Sequence, residues 1–186
     1  MGQIGDSLDR AAQKVTTRPI PVSAQARVRF LVKSAKGSTR AVAEQLGVSQ
    51  RTVERYLKGQ IKRPRKELAE RMAAEVRRLW QPRVKQRARR QAATARGLVI
   101  ETRARFGFTA APGSTDDSRI RRVTQHLPPD YAARLFAAQD AGAGERQLRQ
   151  IAAEGLQEIY FKDRGRRAEG LQVEFTDIDY VEIDYS

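Results

Sequence analysis

Residues 37–59 read GSTRAVAEQLGVSQRTVERYLKG, and this stretch predicts two short helices joined by a tight turn. In the first helix, counted from Thr39, the apolar Val42 and Leu46 recur at helical spacing and face inward. The small Ala43 leaves room for a second helix to cross closely, and Gly47 tolerates the positive φ that a turn needs. The spacing therefore predicts a packed pair of helices.

The second helix of the pair follows Ser49, whose hydroxyl is a good N-cap, and carries Val53 and Tyr56 at inward positions. Such a pair is typical of a DNA-binding helix-turn-helix, here over residues 39–58. The alternative is a helical hairpin packed for stability alone.

The side chains that this pair would present to DNA are polar or basic. Gln50 and Arg51, in the first turn of the second helix, are the predicted base contacts, because Gln suits adenine and Arg suits guanine. Thr39, Arg40, Arg55 and Lys58 are placed for phosphates, Ser49 and Thr52 also point outward, and Lys62 and Arg63 extend the basic surface.

Charge is divided unevenly along the 186-residue chain, whose net charge is +14. Residues 1–96 contain 24 Lys and Arg against 7 Asp and Glu, whereas residues 97–186 contain 12 against 15. This division predicts a helical DNA-binding domain over residues 1–96 and a second domain with another role over residues 97–186.

Residues 64–96 predict a long basic helix that Pro82 kinks or interrupts. Its second part is either a helix with a basic surface or an arm that orders on DNA. The DNA contacts predicted here are Arg83, Lys85, Arg87, Arg89 and Arg90. The alternative is a solvated helix face, although the acidic residues that usually balance such a face are missing.

The second domain has strand-like patterns at residues 98–108, 119–127 and 173–185, with two helical segments between the second and third. This β-β-α-α-β order predicts a small α+β domain with an antiparallel sheet. The whole chain is therefore predicted to be α+β, with an all-α helix-turn-helix domain and a long basic helix preceding that domain.

Conventional catalytic motifs are missing from the sequence. With no Cys and one His, neither a thiolate metal site nor a hydrolytic triad is expected. The acidic tail residues Asp177, Asp179, Glu182 and Asp184 favour the solvated side of a strand over a metal site, so no metal is expected. In the loop over residues 111–118, Ser114 and Thr115 offer hydroxyls, although composition alone favours an ordinary turn.

Several distinctive segments occur in order along nearly the whole chain. They are MGQIGDSLDRAAQKV (1–15), KGSTRAVAEQLGVSQRTVERY (36–56), RRLWQPRVKQRARRQAATARG (77–97), IETRARFGFTAAPGSTDD (100–117), LPPDYAARLF (127–136) and GLQEIYF (155–161). Together they resemble the telomere terminal proteins of linear actinobacterial (Streptomyces-type) chromosomes and plasmids.

This resemblance implies a protein primer that binds telomeric DNA as a duplex, hairpin or overhang. A DNA polymerase would join a side-chain hydroxyl to the first nucleotide, leaving the protein covalently linked to the 5′ end. The family's attachment residue is a Thr in the loop that matches PGSTDD, so the resemblance implies Ser114 or Thr115 here, with Ser114 at the matching position. The chain would need no cofactor of its own, since deoxynucleoside triphosphate and Mg²⁺ act through the polymerase, and a telomere-associated end-recognition protein would complete the complex.

The competing prediction is a helix-turn-helix transcriptional regulator whose second domain dimerises or senses a ligand, and the sequence pattern alone ranks it first. An autonomous nucleotidyl transferase is a weaker alternative, because no clear set of metal-binding carboxylates surrounds the loop. Self-association is left open. No apolar run approaches the roughly 20 residues that span a bilayer, so we expect a cytoplasmic protein at DNA ends without a membrane partner.

Overall fold

The computed structural model describes residues 2–109, 119–161 and 172–186. Contacts divide the chain into a helical unit, Thr16–Arg83, and an α+β unit formed by Met1–Val15 and Val84–Ser186. The elements in the described residues are α1 (Gln3–Lys14), α2 (Ala24–Ser34), α3 (Thr39–Leu46), α4 (Gln50–Leu57), α5 (Lys66–Leu79), α6 (Pro82–Gln91), a π-helical turn (Ala92–Arg96), β1 (Leu98–Thr109), β2 (Arg119–Leu127), α7 (Pro129–Asp140), α8 (Glu145–Leu156), a second π-helical turn (Gln157–Phe161) and β3 (Gln172–Tyr185).

The helical unit packs α2 to α5 around one apolar cluster. Helix α2 contacts α3, α4 and α5, and α3 also contacts α4 and α5. The most deeply buried members are Val28, Leu31, Val42, Leu46, Val53, Met72 and Val76, each at most 1% exposed. These residues recur three or four positions apart on α2, α3 and α5, and on α4 Val53 lies three positions before the buried Tyr56. Each helix therefore buries one face in the shared core.

Serine hydroxyls fix the starts of three helices in this unit. Ser23, Ser38 and Ser49 are extended, and each accepts a hydrogen bond from the backbone N–H three residues later. Helix α3 ends at Gly47, whose φ of 62° and ψ of 43° are left-handed. The predicted turn glycine and the predicted cap of α4 are therefore confirmed.

The long helix predicted over residues 64–96 is divided in the structure. Helix α5 ends at Leu79, Trp80 is extended with ψ of 117°, and Gln81 has a φ of 46°. Helix α6 then begins at Pro82, whose ring disfavours a helical conformation in the residue before it. The predicted interruption at Pro82 is confirmed, and it produces two helices rather than one kinked helix.

In the α+β unit, β1 is the central strand of an antiparallel sheet with the order β2-β1-β3. The pairing runs from Leu98↔Leu127 to Phe106↔Arg119 on one side of β1 and from Leu98↔Tyr185 to Thr109↔Gln172 on the other. The predicted β-β-α-α-β order and antiparallel sheet are confirmed. One face of the sheet forms a core with α1, α7 and α8 that includes Leu98, Ile100, Leu127, Leu135, Leu156 and Ile183.

Helix α1 covers the backbone of β3 with a polar stripe. The Ser7 hydroxyl, 1% exposed, accepts a 2.7 Å hydrogen bond from the N–H of Ile183. Gln3 donates to the Ile178 carbonyl at 3.1 Å and Arg10 to the Val181 carbonyl at 3.3 Å. These contacts satisfy backbone groups that β1 does not pair, which protects the strand edge from adventitious pairing.

The contacts distribute the first 96 residues between both units, unlike the division predicted at residue 97. Ile4 and Leu8 of α1 are at most 2% exposed in the core of the α+β unit, and Ala92 after α6 lies in the same core. The sequence separation between α1 and the sheet concealed this packing, because charge and local periodicity do not report which core a helix enters.

Candidate nucleic-acid interface

Helices α3 and α4 pack as the sequence predicted. Val42, Ala43 and Leu46 are at most 4% exposed, and Val53 and Tyr56 are 1% and 3% exposed. Burial raises the pKa of the Tyr56 phenol, which favours its neutral form in the core. The small Ala43 and the turn at Gly47 allow the two helices to approach closely, which fixes the side of α4 that faces solvent.

The solvent side of α4 carries cations that are not neutralised. Arg51, Arg55 and the C-cap Lys58 are exposed. Within the part of the chain that the structure describes, none of the three side chains forms a hydrogen bond or an ion pair. Exposed lysine and arginine side chains without such a bond are available to phosphate oxygens and base edges.

Gln50 is held in place on the same surface. Its Nε2 donates to the Thr39 hydroxyl and to Oε1 of Glu54, both at 3.0 Å. The amide oxygen of Gln50 is left as an outward acceptor, whereas a bidentate contact with adenine needs both this oxygen and an N–H of Nε2. Gln50 must therefore release one of these bonds to read adenine, or accept from a single base amino group.

The other predicted contacts of this pair are engaged in short-range bonds. The Ser49 hydroxyl caps the Thr52 N–H at 3.3 Å and lies 2.9 Å from the Thr52 hydroxyl. Arg40 pairs with Glu44 at 3.2 Å, but both side chains are more than two-thirds exposed. An exposed pair of this kind contributes little to stability, so Arg40 can exchange its partner at low cost.

Two further predicted cations, Lys62 and Arg63, are exposed in the connection between α4 and α5. Sequence reasoning missed Arg71 of α5, whose Nη1 lies 2.7 Å from the point where a Cβ on Gly47 would stand. Tertiary packing brings this exposed guanidinium to the α3–α4 turn, and no local pattern signals it.

The basic residues of α6 that were predicted to bind DNA together belong to two different contact-defined units. Arg83 falls in the helical unit, whereas Lys85, Arg87, Arg89 and Arg90 belong to the α+β unit. Arg83, Arg87 and Arg90 are exposed. Desolvation lowers the pKa of the half-buried Lys85, while the charge of Asp9 opposes that shift.

Arg89 is turned into the α+β unit rather than outward. It donates to the Phe136 carbonyl at 3.2 Å and to the Asp140 carboxylate at 2.9 Å. Its guanidinium lies 4.7 Å from the centre of the Phe136 ring. These contacts hold the Arg89 guanidinium against α7, so Arg89 is not part of the candidate interface.

The loop over residues 111–118, with Ser114 and Thr115, lies outside the described residues. The described chain on either side ends at Thr109 of β1 and resumes at Arg119 of β2. The nucleotide-accepting role predicted for one of the two hydroxyls therefore stays a prediction.

Near the end of β3, acidic residues alternate with the buried Val181 and Ile183, as in a strand with one solvated side, whereas the side chain of Asp177 lies outside the described ones. Glu182 is exposed between Val181 and Ile183, which are 3% and 1% exposed. Asp179 pairs with Arg103 at 3.3 Å, and Asp184 pairs with Lys14 at 2.7 Å. In the described ranges no three His, Asp or Glu side chains form a group suited to a metal ion.

A polar network lies on the face of the sheet away from the core. Glu101 accepts from Arg122 at 2.6 Å and from the Tyr180 hydroxyl at 2.9 Å. The hydrogen bond from Arg122, followed by that from Tyr180, lowers the pKa of Glu101. The hydrogen bond to Glu101 in turn raises the pKa of Tyr180. This network holds the three strands together at the solvent side.

Comparison of the chain with protein-family models, curated proteins and solved structures finds no match. Among the helices that the structure describes, none combines the length and apolar character that crossing a membrane requires.

Proposed function

We propose that the chain binds duplex DNA through α3 and α4, with α4 as a recognition helix in the major groove. The observation that carries this proposal is the exposed row of Arg51, Arg55 and Lys58, which has no ion-pair partner among the described residues. The helical unit contains 17 Lys and Arg against 5 Asp and Glu, a net charge of +12. This excess supports attraction to a polyanion over packing alone.

In this proposal the first turn of α4 reads bases and its later residues bind phosphates. Arg51 suits the O6 and N7 acceptors of guanine. Gln50 contacts a base amino group through its amide oxygen, with Thr39 and Glu54 holding its Nε2. Arg55 and Lys58, farther along the helix, contact the backbone of the duplex.

The wider role that we propose is that of a telomere terminal protein, which primes DNA synthesis at the end of a linear replicon. This part depends on the sequence resemblance described above. The helical unit would hold the DNA end, and Ser114 or Thr115 would accept the first nucleotide. The alcohol attacks the α-phosphate of a deoxynucleoside triphosphate, pyrophosphate leaves, and the hydroxyl proton passes to a base or water, with two metals of the polymerase assisting. The chain itself is then a substrate and not an enzyme.

DNA binding is tested by measuring the affinity for telomeric and scrambled duplexes over a range of salt concentrations. Arg51→Ala should cost about 1–3 kcal/mol on the preferred duplex and reduce the preference between the two. Arg55→Ala should weaken both alike and lower the salt slope by about 1. Arg146→Ala, an exposed arginine of α8 in the other unit, is the matched control. Equal losses in all three variants would overturn the assignment of α4.

Priming is tested by incubating the chain with a polymerase-containing extract, telomeric template and labelled deoxynucleotides. The proposal expects label that survives boiling in detergent and is released by alkali, because serine and threonine phosphoesters undergo β-elimination. Ser114→Ala and Thr115→Val, made separately, should identify the hydroxyl. Alkali-stable label would indicate a tyrosine instead. Absence of label together with a promoter-like footprint would support a transcriptional regulator.

A further inference from the structure

A solvent-open cavity of about 350 Å³ lies within the α+β unit, where α6, the end of α1 and the end of β3 meet. Its polar lining comes from Arg87, Gln91, Arg96, Tyr185 and Ser186. The volume falls in the range of about 300–1,000 Å³ that is usual for small-molecule sites. The cavity belongs to a different unit from α3 and α4, so it is independent of the DNA-binding surface proposed above.

The π-helical turn brings the two arginines to one cavity. Arg87 and Arg96 are nine residues apart, which in a regular α-helix is two and a half turns and places them on opposite faces. The chain instead closes a wider turn over Ala92–Arg96, with the Gly97 N–H donating to the Ala92 carbonyl at 2.8 Å. A wider turn rotates each residue less, so Arg96 is brought back toward the Arg87 side. Such local π turns are frequent at functional sites.

Basic side chains outnumber acidic ones around the cavity, where Asp9 is close enough for its charge to raise the pKa of the lining Tyr185. Helix α6 contains five basic residues and no acidic one. Arg89 is paired with Asp140, but neither Arg87 nor Arg96 forms a hydrogen bond or ion pair with the described residues. Two guanidinium groups at one opening, each with free N–H donors, are a suitable arrangement for phosphate oxygens.

The remaining lining suits the rest of a nucleotide. Val15, Val84 and Ala88 form an apolar wall. Tyr185 is stacked on Phe136, with ring centres 5.9 Å apart. Its phenol hydroxyl is neutral at physiological pH and can donate a hydrogen bond, and burial raises its pKa further, to about 12. The cavity thus combines cationic donors with an apolar and aromatic wall, as binding a phosphate together with a base or sugar requires.

We propose that this cavity binds a nucleotide, with Arg87 and Arg96 on its phosphate and the Val15, Val84, Ala88 and Tyr185 wall against its base or sugar. The same chemistry is offered by two sources, a free deoxynucleoside triphosphate and the 5′-phosphorylated terminal nucleotide of a DNA strand. The proposal concerns equilibrium binding only and does not require the chain to be a primer.

The test is calorimetric titration of the full chain with three probes at moderate salt: dTTP, a short single-stranded oligonucleotide with a 5′-phosphate, and the same oligonucleotide with a 5′-hydroxyl. The site predicts binding of dTTP, of the phosphorylated end in preference to the hydroxyl end, or of both. Arg87→Gln and Arg96→Gln should each weaken the phosphate-dependent binding about tenfold or more. Arg146→Gln, an exposed arginine of α8 in the same unit that neither lines the cavity nor belongs to the predicted DNA contacts, should change it less than about twofold.

The outcomes separate the two sources and also allow the site to be rejected. If the two cavity variants lose affinity only for dTTP, the ligand is a free nucleotide. If they lose affinity only for the phosphorylated oligonucleotide, the ligand is a DNA terminus. A wild-type chain that neither binds dTTP nor distinguishes the two oligonucleotides would overturn the proposal. Equal losses in Arg146→Gln and the two cavity variants would also overturn it, since that result would reflect the overall charge of the chain and not this site. Amide spectra of each variant verify the fold, because both lining arginines are exposed and their removal leaves the core intact.

Discussion

Gly97 joins the first π-helical turn to β1 with a backbone that only glycine adopts readily. Its φ is 76° and its ψ is −159°, and a Cβ placed there would lie 2.0 Å from the Leu127 carbonyl oxygen. Gly97→Ala should therefore destabilise the chain by about 3 kcal/mol or more, since backbone strain and a clash with β2 add. The measurement is the urea unfolding midpoint followed by circular dichroism.

Gly142→Ala is the matched control for this substitution. Gly142 has a similar φ of 74°, but no atom lies within 4 Å of its added Cβ. It should cost only the strain of a left-handed alanine, about 1–2 kcal/mol. If the two variants unfold at the same urea concentration, the close approach of Gly97 to β2 is not present in solution.

Tyr185 should make the stability of the chain depend on alkaline pH. Burial raises its pKa to about 12, with Asp9 adding to the shift and Arg89 opposing it. An unfolded tyrosine ionises near pH 10, so the neutral phenol favours the folded state. That contribution is fully present below about pH 10 and is lost as the pH rises through 12. Tyr185→Phe should therefore show a smaller fall in thermal unfolding temperature between pH 9 and 12. Parallel curves for the two proteins would contradict the assignment.

At the scale of single residues, the sequence predicted which side chains are buried better than it predicted which side chains bond to each other. Val42, Val53 and Tyr56 are buried as their spacing indicated, because periodicity along one helix determines which face enters the core. The attachment of Gln50 to Thr39 was not predictable, because it depends on the crossing of two helices. Arg96 was missed as a lining residue for a related reason, since a regular helix would place it away from Arg87.

At the scale of elements, α1 and β3 depend on each other through a buried hydrogen bond. Ser7→Ala would leave the Ile183 N–H without its acceptor and out of water. We expect a loss of about 1–3 kcal/mol in the free energy of unfolding, and faster hydrogen exchange at the Ile183 amide. Ser34→Ala is the control, because the exposed Ser34 hydroxyl bonds to the Phe30 carbonyl in its own helix and to no other group of the described residues. Its effect should stay within about 0.5 kcal/mol. Unchanged exchange at Ile183 in Ser7→Ala would show that α1 does not cap this strand.

Elements with strong local signals were predictable, whereas their assembly was not. Ser49, Gly47 and Pro82 determine where α4 begins, α3 ends and α6 begins, and each acts through its own backbone or hydroxyl. The strands of the sheet were equally visible, because alternation reports one buried face. The attachment of α1 to β3 spans more than 170 positions, and no local pattern in either segment specifies it.

At the scale of the whole molecule, the net charge is divided less sharply between the contact-defined units than between residues 1–96 and 97–186, which carry +17 and −3. The helical unit carries +12 of the net charge of +14, which leaves +2 for the α+β unit. Most of the excess charge is thus contained in the unit that holds α3 and α4. A chain that contains one strongly basic unit and one nearly neutral unit is consistent with separate nucleic-acid and interaction roles.

This organisation predicts that the α+β unit folds when residues 16–83 are replaced by a short Gly/Ser linker. Val15 and Val84, where the chain leaves and re-enters this unit, line the same cavity of about 350 Å³. About six residues at 3.3–3.6 Å each are therefore enough to join them. The shortened chain should unfold cooperatively in urea and retain slow exchange at the Ile183 amide. The fragment 97–186 is the comparison, because it lacks Ile4, Leu8 and Ala92 of the core and the Ser7 cap. It should give a broad transition and expose apolar surface to a hydrophobic dye. If instead the fragment 97–186 folds as cooperatively as the linked chain, α1 and α6 are accessory to the sheet and the division at residue 97 is the better one.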